Sequence, residues 1–314
     1  MRRDAPTPIV DGMHEQLAGY IAGPVNAEDL AVAPGGEWVL TSGMTGRTAP
    51  LGRLYAVRVE DGACNEIFPY GAACVLNNQR FVEQPDLDTF KFRPHGIDVT
   101  LRPDGRTELY VVNHRGSESV EVFDVDLDGP RPALRWLGGV ELPGSAVGND
   151  VAAVDDGFVV STTGDPHGRT AVSVEQAMSG ADTGGVLEWS RAGGWVALPG
   201  KQINTANGVA VSPDGEWVYI GGWNSRCVKR VRRGGAEPDT TTVPVNIMVD
   251  NLTSSASGRL LAAGTYGTSM EDFLAGHFGP NPRLGIPSRV LGIDPETLAT
   301  EELIDYRPDT LATS

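Results

Sequence analysis

The stretch HGIDVTLRPDGRTELYVVNH, from His95 to His114, consists of two apolar segments on either side of a turn. Residues 97–101 and 108–112 are rich in β-branched and apolar side chains, which is typical of β-strands. In the turn, Pro103 presets the backbone φ angle, Asp104 can bond its own backbone, and Gly105 accepts positive φ. The stretch therefore predicts a β-hairpin.

The two histidines of this stretch stand at the open end of the predicted hairpin. A hairpin centred between Asp104 and Gly105 would place His95 directly opposite His114. Each histidine could be purely structural. Alternatively, two imidazoles that perturb each other would suit proton transfer near neutral pH, because histidine titrates in that range. The pattern of residues leaves both interpretations open.

The hairpin is one of five similar units in the chain. The other four are EDLAVAPGGEWVLTSG from Glu28, NDVAAVDDGFVVSTTG from Asn149, NGVAVSPDGEWVYIGG from Asn207 and DNLTSSASGRLLAAG from Asp250. Successive units begin 43 to 67 residues apart. Repeats near 40–50 residues with several short strands each indicate a β-propeller, with four strands per blade. A β-sandwich is the structural alternative.

The first one or two residues of each unit bear polar side chains. In a propeller the innermost strands surround one channel, so these side chains would converge on a single axis. They are Glu28 and Asp29, His95, Asn149 and Asp150, Asn207, and Asp250 and Asn251. Any one of them could serve only as a turn or cap residue. Together, carboxylate and amide oxygens without cysteine predict a hard cation, and Ca²⁺ tolerates such a set better than Mg²⁺ does.

The composition excludes several classes of protein. The 314 residues carry a formal net charge of −16, which argues against nucleic-acid binding. No run of eighteen apolar residues could span a membrane. The first residues lack the apolar core of a secretory signal, and the three cysteines fit no zinc or redox motif. We therefore expect residues 1–314 to form one cytoplasmic propeller domain.

Six short segments resemble the paraoxonase/arylesterase family of calcium-dependent propeller lactonases. They occur in the order AEDL, FRPHGI, LYVVNH, GNDV, ANGVAVSPDGEWVYI and VDNL. The resemblance extends from about residue 20 to about residue 306, and more distantly to gluconolactonase, regucalcin and strictosidine-synthase-like propellers. It implies an all-β fold with six four-stranded blades around a calcium-binding channel.

The resemblance also implies roles for individual residues. Two calcium ions are expected, one catalytic and one structural. The implied ligands of the catalytic ion are Glu28, Asn149, Asn207, Asp250 and Asn251. Those of the deeper structural ion are Asp29, Asp150 and the backbone carbonyl of Ile97. His95 and His114 match a proton-shuttling dyad, Asp165 matches a further active-site acid, and residues 170–180 and 265–279 match walls of the pocket.

The chain departs from the family pattern at its C-terminal end. The family continues past the stretch that matches residues 304–306 with strands that complete the sixth blade, whereas this sequence stops at RPDTLATS. We therefore expect the last blade to be incomplete. An exposed sheet edge at that position would favour pairing with a second chain, so a dimer is possible.

These observations predict a calcium-dependent hydrolase of lactones or aryl esters. Two alternatives remain: a sugar-lactone hydrolase similar to gluconolactonase, and a non-catalytic propeller that calcium stabilises and that binds a partner. The sequence contains no G-x-S-x-G motif, which disfavours a serine hydrolase, and no nucleotide-binding fingerprint.

Overall fold

The described parts of the chain form twenty-one strands in five sheets. The computed structural model describes residues 21–44, 51–69, 75–82, 87, 91–114, 118–163, 175–176, 179–200, 202–234, 238–255, 257–269 and 286–307. No helix among these residues is long and apolar enough to cross a membrane. Four sheets have four strands, which follow one another outward in chain order, and one sheet has a fifth strand added at its outer edge.

The sheets are built from consecutive segments of the chain. The first contains β1 (Ala27–Val32), β2 (Trp38–Gly43), β3 (Arg53–Arg58) and β4 (Cys64–Phe68). The second contains β6 (Pro94–Leu101), β7 (Thr107–His114), β8 (Glu118–Asp126), β9 (Ala133–Glu141) and, parallel to β9 at its outer edge, β5 (Val75–Val82).

The remaining three sheets repeat the simple four-stranded meander. The third contains β10 (Val147–Val154), β11 (Gly157–Thr163), β12 (Gly184–Ser190) and β13 (Gly194–Ala197). The fourth contains β14 (Ala206–Val211), β15 (Trp217–Gly222), β16 (Cys227–Arg232) and β17 (Thr240–Pro244). The fifth contains β18 (Met248–Ser254), β19 (Leu260–Thr265), β20 (Ser288–Ile293) and β21 (Thr300–Tyr306).

The innermost hairpins close with the turn geometry that the sequence predicts. The N–H of Gly105 donates to the carbonyl of Arg102, and the N–H of Gly215 donates to that of Ser212. Both glycines have positive φ, at 85° and 72°, a region that side chains with a Cβ rarely adopt. The repeated turn is therefore a local property of the sequence, formed in the same way in different blades.

Apolar side chains fill the space between consecutive sheets. Between the first and second sheets, Phe68, Phe92 and Phe123 pack edge to face, with ring centroids 4.7 to 6.5 Å apart. Similar cores join the second sheet to the third, the third to the fourth and the fourth to the fifth. Burial of these faces holds the blades around a common axis.

The prediction of six blades is wrong, because the described residues form a propeller of five. The sixth blade was implied by family resemblance, whereas the sequence itself repeats the hairpin five times. The fifth and first sheets meet at the channel, where Nδ2 of Asn251 donates to the carbonyl of Glu28 at 2.8 Å. Farther along β1, Leu30 and Val32 stay 57% and 65% exposed, so none of the apolar cores formed by the described residues covers this strand on that side.

Candidate metal and acid–base site

Each innermost strand contains an irregularity at the same place, at its channel end. The pairing register shifts between residues 27 and 30, 94 and 97, 148 and 151, 206 and 209, and 249 and 251. A β-bulge adds an unpaired residue and redirects its side chain. The bulges contain the polar residues predicted to converge, namely Glu28, Asp29, His95, Asn149, Asp150, Asn207 and Asp250, and Asn251 directly follows the last of them.

In the first four sheets the bulge has a second position, which contacts the next sheet. In the first and third sheets it is an aspartate, whereas in the second and fourth it is a glycine, Gly96 or Gly208. A Cβ on Gly96 would lie 2.5 Å from the Cα of Asp150, and one on Gly208 would lie 2.4 Å from the backbone N of Leu252. Glycine is therefore required at both positions, because the neighbouring backbone occupies the space of a side chain.

Four oxygen atoms at the channel end are buried without a hydrogen-bond donor among the described residues. They are Oε2 of Glu28 and Oδ1 of Asn149, Asn207 and Asn251. A buried polar atom without a partner is costly, and most native structures avoid it. Four such oxygens contributed by four sheets are what a hard cation with oxygen ligands requires.

The amide groups of two asparagines are oriented by their nitrogen atoms. Nδ2 of Asn207 donates to Oδ1 of Asp250 at 3.0 Å, and Nδ2 of Asn251 donates to the carbonyl of Glu28. In both residues the protein uses the donor end of the amide, and the acceptor end is left for a ligand. No three His, Cys, Asp or Glu side chains of the described residues form a metal-binding group, so these amide oxygens are essential to any such site.

The carboxyl group of Glu28 lies among other acids. Burial raises its pKa well above the ordinary value, and the charges of Asp29 and Asp250 raise it further. Accumulated negative charge of this kind favours a bound cation, because a cation reverses the electrostatic cost of ionising the acids. The charge balance of the site therefore agrees with the orientation of its amide oxygens.

The deeper pair of acids, Asp29 and Asp150, is bonded differently. Oδ2 of Asp29 accepts the N–H of Ile97 at 2.7 Å, and Oδ2 of Asp150 accepts the N–H of Val209 at 2.7 Å. Burial raises the pKa of Asp29 to about 7, and burial followed by the charge of Asp29 raises the pKa of Asp150. Both acids line a cavity of about 420 Å³ in the channel. The carboxyl oxygens of both acids already accept hydrogen bonds from backbone N–H groups. Their negative charge is therefore the feature that favours a second ion here.

His95 and His114 lie together, although not in the register that the sequence predicts. Beyond the bulge, β6 and β7 pair Leu101 with Thr107, so the hairpin is shifted by one residue from the predicted register. At the open end, the N–H of His114 donates to the carbonyl of Arg93. The prediction that the two residues are direct cross-strand partners is therefore wrong. Their ring centroids are nevertheless 5.0 Å apart, edge to face, since His95 belongs to the bulge.

The surroundings of His95 define its protonation. Its Nδ1 lies 2.8 Å from the carbonyl of Asn149 and 3.5 Å from Oε1 of Glu28. Burial, then the charge of His114, lowers the pKa of His95 to about 4. The ring is thus neutral at pH 7, and the carbonyl places its proton on Nδ1, which leaves Nε2 as the acceptor.

One residue of this site was missed by the sequence analysis. Oε2 of Glu118 lies 2.6 Å from Nδ1 of His114 and also accepts the N–H of Gly148 at 3.1 Å. Glu118 is the partner of His114 across the β7–β8 pair. The sequence signal that could have identified Glu118 is a carboxylate four residues after a candidate histidine. Asp165 and most of the two predicted pocket walls lie outside the described residues.

Comparison with known proteins identifies the fold and not a family. No protein-family model and no curated protein sequence matches the chain. A periplasmic gluconolactonase of Pseudomonas aeruginosa has a similar structure, with 15% identity, a TM-score of 0.51, and 94% of this chain and 90% of that chain covered. The PQQ-bound aldose sugar dehydrogenase of Streptomyces coelicolor is similar at 13% identity and a TM-score of 0.51, covering 90% and 82% of the two chains.

The two similar proteins are named for different reactions, a lactone hydrolysis and a sugar oxidation. Sequence identities this low carry the fold alone, and one fold can accommodate unrelated chemistry. Any inference about activity must therefore come from the residues at the channel.

Proposed function

We propose that this protein is a calcium-dependent hydrolase of lactones or aryl esters. The observation that carries the proposal is the set of four buried oxygens without hydrogen-bond donors beside a neutral histidine. Cation ligands and an acid–base group at one channel end are the two parts that metal-assisted ester hydrolysis needs.

The proposed ligands fall into two groups, one for each ion. Glu28, Asn149, Asn207, Asp250 and Asn251 would hold the catalytic calcium ion. Asp29, Asp150 and the carbonyl of Ile97 would hold a second, structural ion. When bound, the first ion would supply Lewis-acid polarisation of the substrate carbonyl and stabilise the developing negative charge.

His95 would act as the general base. Its Nδ1 proton is directed to the carbonyl of Asn149, so Nε2 can take a proton from water. A pKa of about 4 makes an isolated imidazole a weak base at pH 7. His114, in ring contact with His95, would accept the proton from it as the second member of a proton shuttle. The carboxyl group of Glu28, 3.5 Å from His95, is the alternative base.

A sugar-lactone hydrolase is the second candidate. The structural similarity to a periplasmic gluconolactonase favours it, although the similarity extends to the fold alone. A lone carboxylate would suffice as the base of a lactone hydrolase. The presence of two paired histidines therefore favours the first candidate. The two candidates differ in substrate: hydrophobic lactones and aryl esters for the first, and gluconolactone for the second.

A substrate panel tests the proposal. Aliphatic lactones, gluconolactone and a phenyl ester are incubated with purified protein that has been treated with EGTA and then given calcium. We expect hydrolysis of hydrophobic lactones that disappears with EGTA and returns with calcium. Preference for gluconolactone would instead support the second candidate. Inactivity on every substrate, together with unfolding by EGTA, would indicate a non-catalytic propeller.

Substitution of the proposed base separates it from the metal ligands. In His95→Gln we expect lactone turnover to fall by about 10²-fold or more, because general-base catalysis contributes about 10²–10⁴-fold. Calcium affinity, measured by calorimetry, should change little. Turnover equal to that of the unaltered protein would exclude His95 and direct attention to Glu28.

A further inference from the structure

A carboxylate outside the predicted site is bonded to the second histidine. Oε2 of Glu118 lies 2.6 Å from Nδ1 of His114, a short contact between a ring nitrogen and a carboxylate oxygen. The side chains of both residues are about three-quarters buried, at 25% and 27% exposed. The contact is therefore partly shielded from water, where a hydrogen bond between a ring nitrogen and a carboxylate is stronger.

Glu118 is itself held in place by the backbone. The same oxygen, Oε2, accepts the N–H of Gly148, which lies on β10 of the next sheet. In addition, Glu118 faces His114 across the first pair of the β7–β8 ladder. Two sheets thus fix the carboxylate, and its position does not depend on the histidine alone.

The two histidines differ in what bonds their Nδ1 atoms. Nδ1 of His95 is closest to a neutral carbonyl, whereas Nδ1 of His114 faces a carboxylate. A carboxylate at Nδ1 fixes the proton on that nitrogen, leaves Nε2 as the acceptor, and stabilises the ring when it becomes positively charged.

We propose that Glu118 is a positioning residue that acts through His114, so that the channel carries a Glu118–His114–His95 series instead of a simple pair. Glu118 fixes the tautomer of His114 and stabilises the positive charge that the histidines share after His95 takes a proton from water. The reacting proton thus moves from water to the imidazole pair, and the carboxylate keeps its own charge. This inference rests on the proposed hydrolase function.

The tautomer of His114 tests the geometric part without any substrate. With ¹⁵N-labelled histidine, NMR distinguishes protonated from unprotonated ring nitrogens. We expect His114 to carry its proton on Nδ1 in the unaltered protein and to populate the Nε2-protonated form in Glu118→Ala. Retention of one tautomer in both proteins would overturn the proposal.

The rate of lactone hydrolysis tests the chemical part of the proposal. Glu118→Gln keeps an oxygen that can accept the N–H of Gly148 but removes the charge. We expect its kcat on lactones to fall roughly 10–100-fold with KM unchanged, a smaller loss than complete removal of general-base catalysis. Glu118→Ala should lose at least as much. An unchanged kcat in both variants would overturn the proposal.

A matched control variant shows whether loss of any carboxylate of similar exposure lowers kcat. Glu188 on β12 has a similar exposure, with 20% of its side chain accessible, and pairs with Arg233 in the turn that follows β16. Glu188→Gln should leave kcat, calcium affinity and the His114 tautomer unchanged, and a similar loss of kcat there would count against Glu118. If the unaltered protein hydrolyses no lactone or ester, the proposed function fails, while the NMR measurement still decides whether Glu118 sets the tautomer.

Discussion

Two sets of oxygen-bearing side chains line the same channel and are bonded in opposite ways. Nearest the mouth, the amide oxygens of Asn149, Asn207 and Asn251 have no donor among the described residues. One layer deeper, three aspartates each accept a backbone N–H from the following sheet. These bonds run from Ile97 to Asp29, from Ala153 to Asp98 and from Val209 to Asp150, each at 2.7 Å.

The difference shows that oxygen-bearing side chains of the innermost strands serve two purposes. A side chain directed along the strand to the next blade finds a backbone donor and fastens two sheets together. A side chain directed to the axis finds no donor and remains available to a ligand. The deeper aspartates should therefore matter first for folding, and the residues at the mouth first for cation binding.

Loss of a deeper carboxylate should have the largest effect on stability. Asp98 accepts the N–H groups of Val99 and Ala153 and is not among the proposed calcium ligands. In calcium-free Asp98→Ala these two partly buried donors lose their partner, so we expect the free energy of unfolding to fall by about 3 kcal/mol. Urea unfolding at pH 6 measures it, and a loss no larger than that of a surface substitution would contradict this role.

The pH dependence of stability should report the same carboxyl group. Burial is the main reason that the pKa of Asp98 is raised to about 6. An aspartate in the unfolded chain titrates near 3.9, so from about pH 4 to 6 the folded state binds more protons than the unfolded state. The free energy of unfolding should therefore fall as the pH rises, by on the order of 2 kcal/mol from this group.

The variant Asp98→Asn isolates that contribution. It cannot titrate, so its calcium-free stability should fall less between pH 4 and pH 6 than that of the unaltered protein. Chemical unfolding at several pH values gives the two curves. Parallel curves would mean that Asp98 has the same affinity for protons in both states.

A residue at the mouth should affect calcium binding more than folding. Asn149→Ala removes one of the free oxygens but keeps the backbone carbonyl that bonds His95. We expect calcium affinity to fall about tenfold, equivalent to about 1.4 kcal/mol. Calorimetric titration with calcium measures this, and an unaltered affinity would remove Asn149 from the ligand set.

The smallest expected effect is the change in the stability of Asn149→Ala without calcium. Without calcium, the Oδ1 atom of Asn149 makes no hydrogen bond to the described part of the chain that the substitution could break. The free energy of unfolding in EGTA should therefore change by less than about 0.5 kcal/mol, as for substitutions away from stabilising contacts. A loss as large as that in Asp98→Ala would show that the two sets do not differ.

The sequence by itself determined the repeated hairpin and the kind of residue at its channel end. Turns such as Pro103-Asp104-Gly105 depend on local backbone preferences, so five copies could be recognised without knowledge of their neighbours. The same repeat predicted that Glu28, His95, Asn149, Asn207 and Asp250 occupy equivalent positions, and the structure places each of them in a bulge.

Only the tertiary structure decided the orientation of these side chains and the position of Glu118. A bulge shifts the register by an amount that depends on contact with the next sheet, as at Gly96, where the backbone of Asp150 leaves no room for a side chain. Likewise, Glu118 is fixed by the N–H of Gly148, thirty residues away in the chain. Local preferences form the hairpin, but long-range packing directs its side chains.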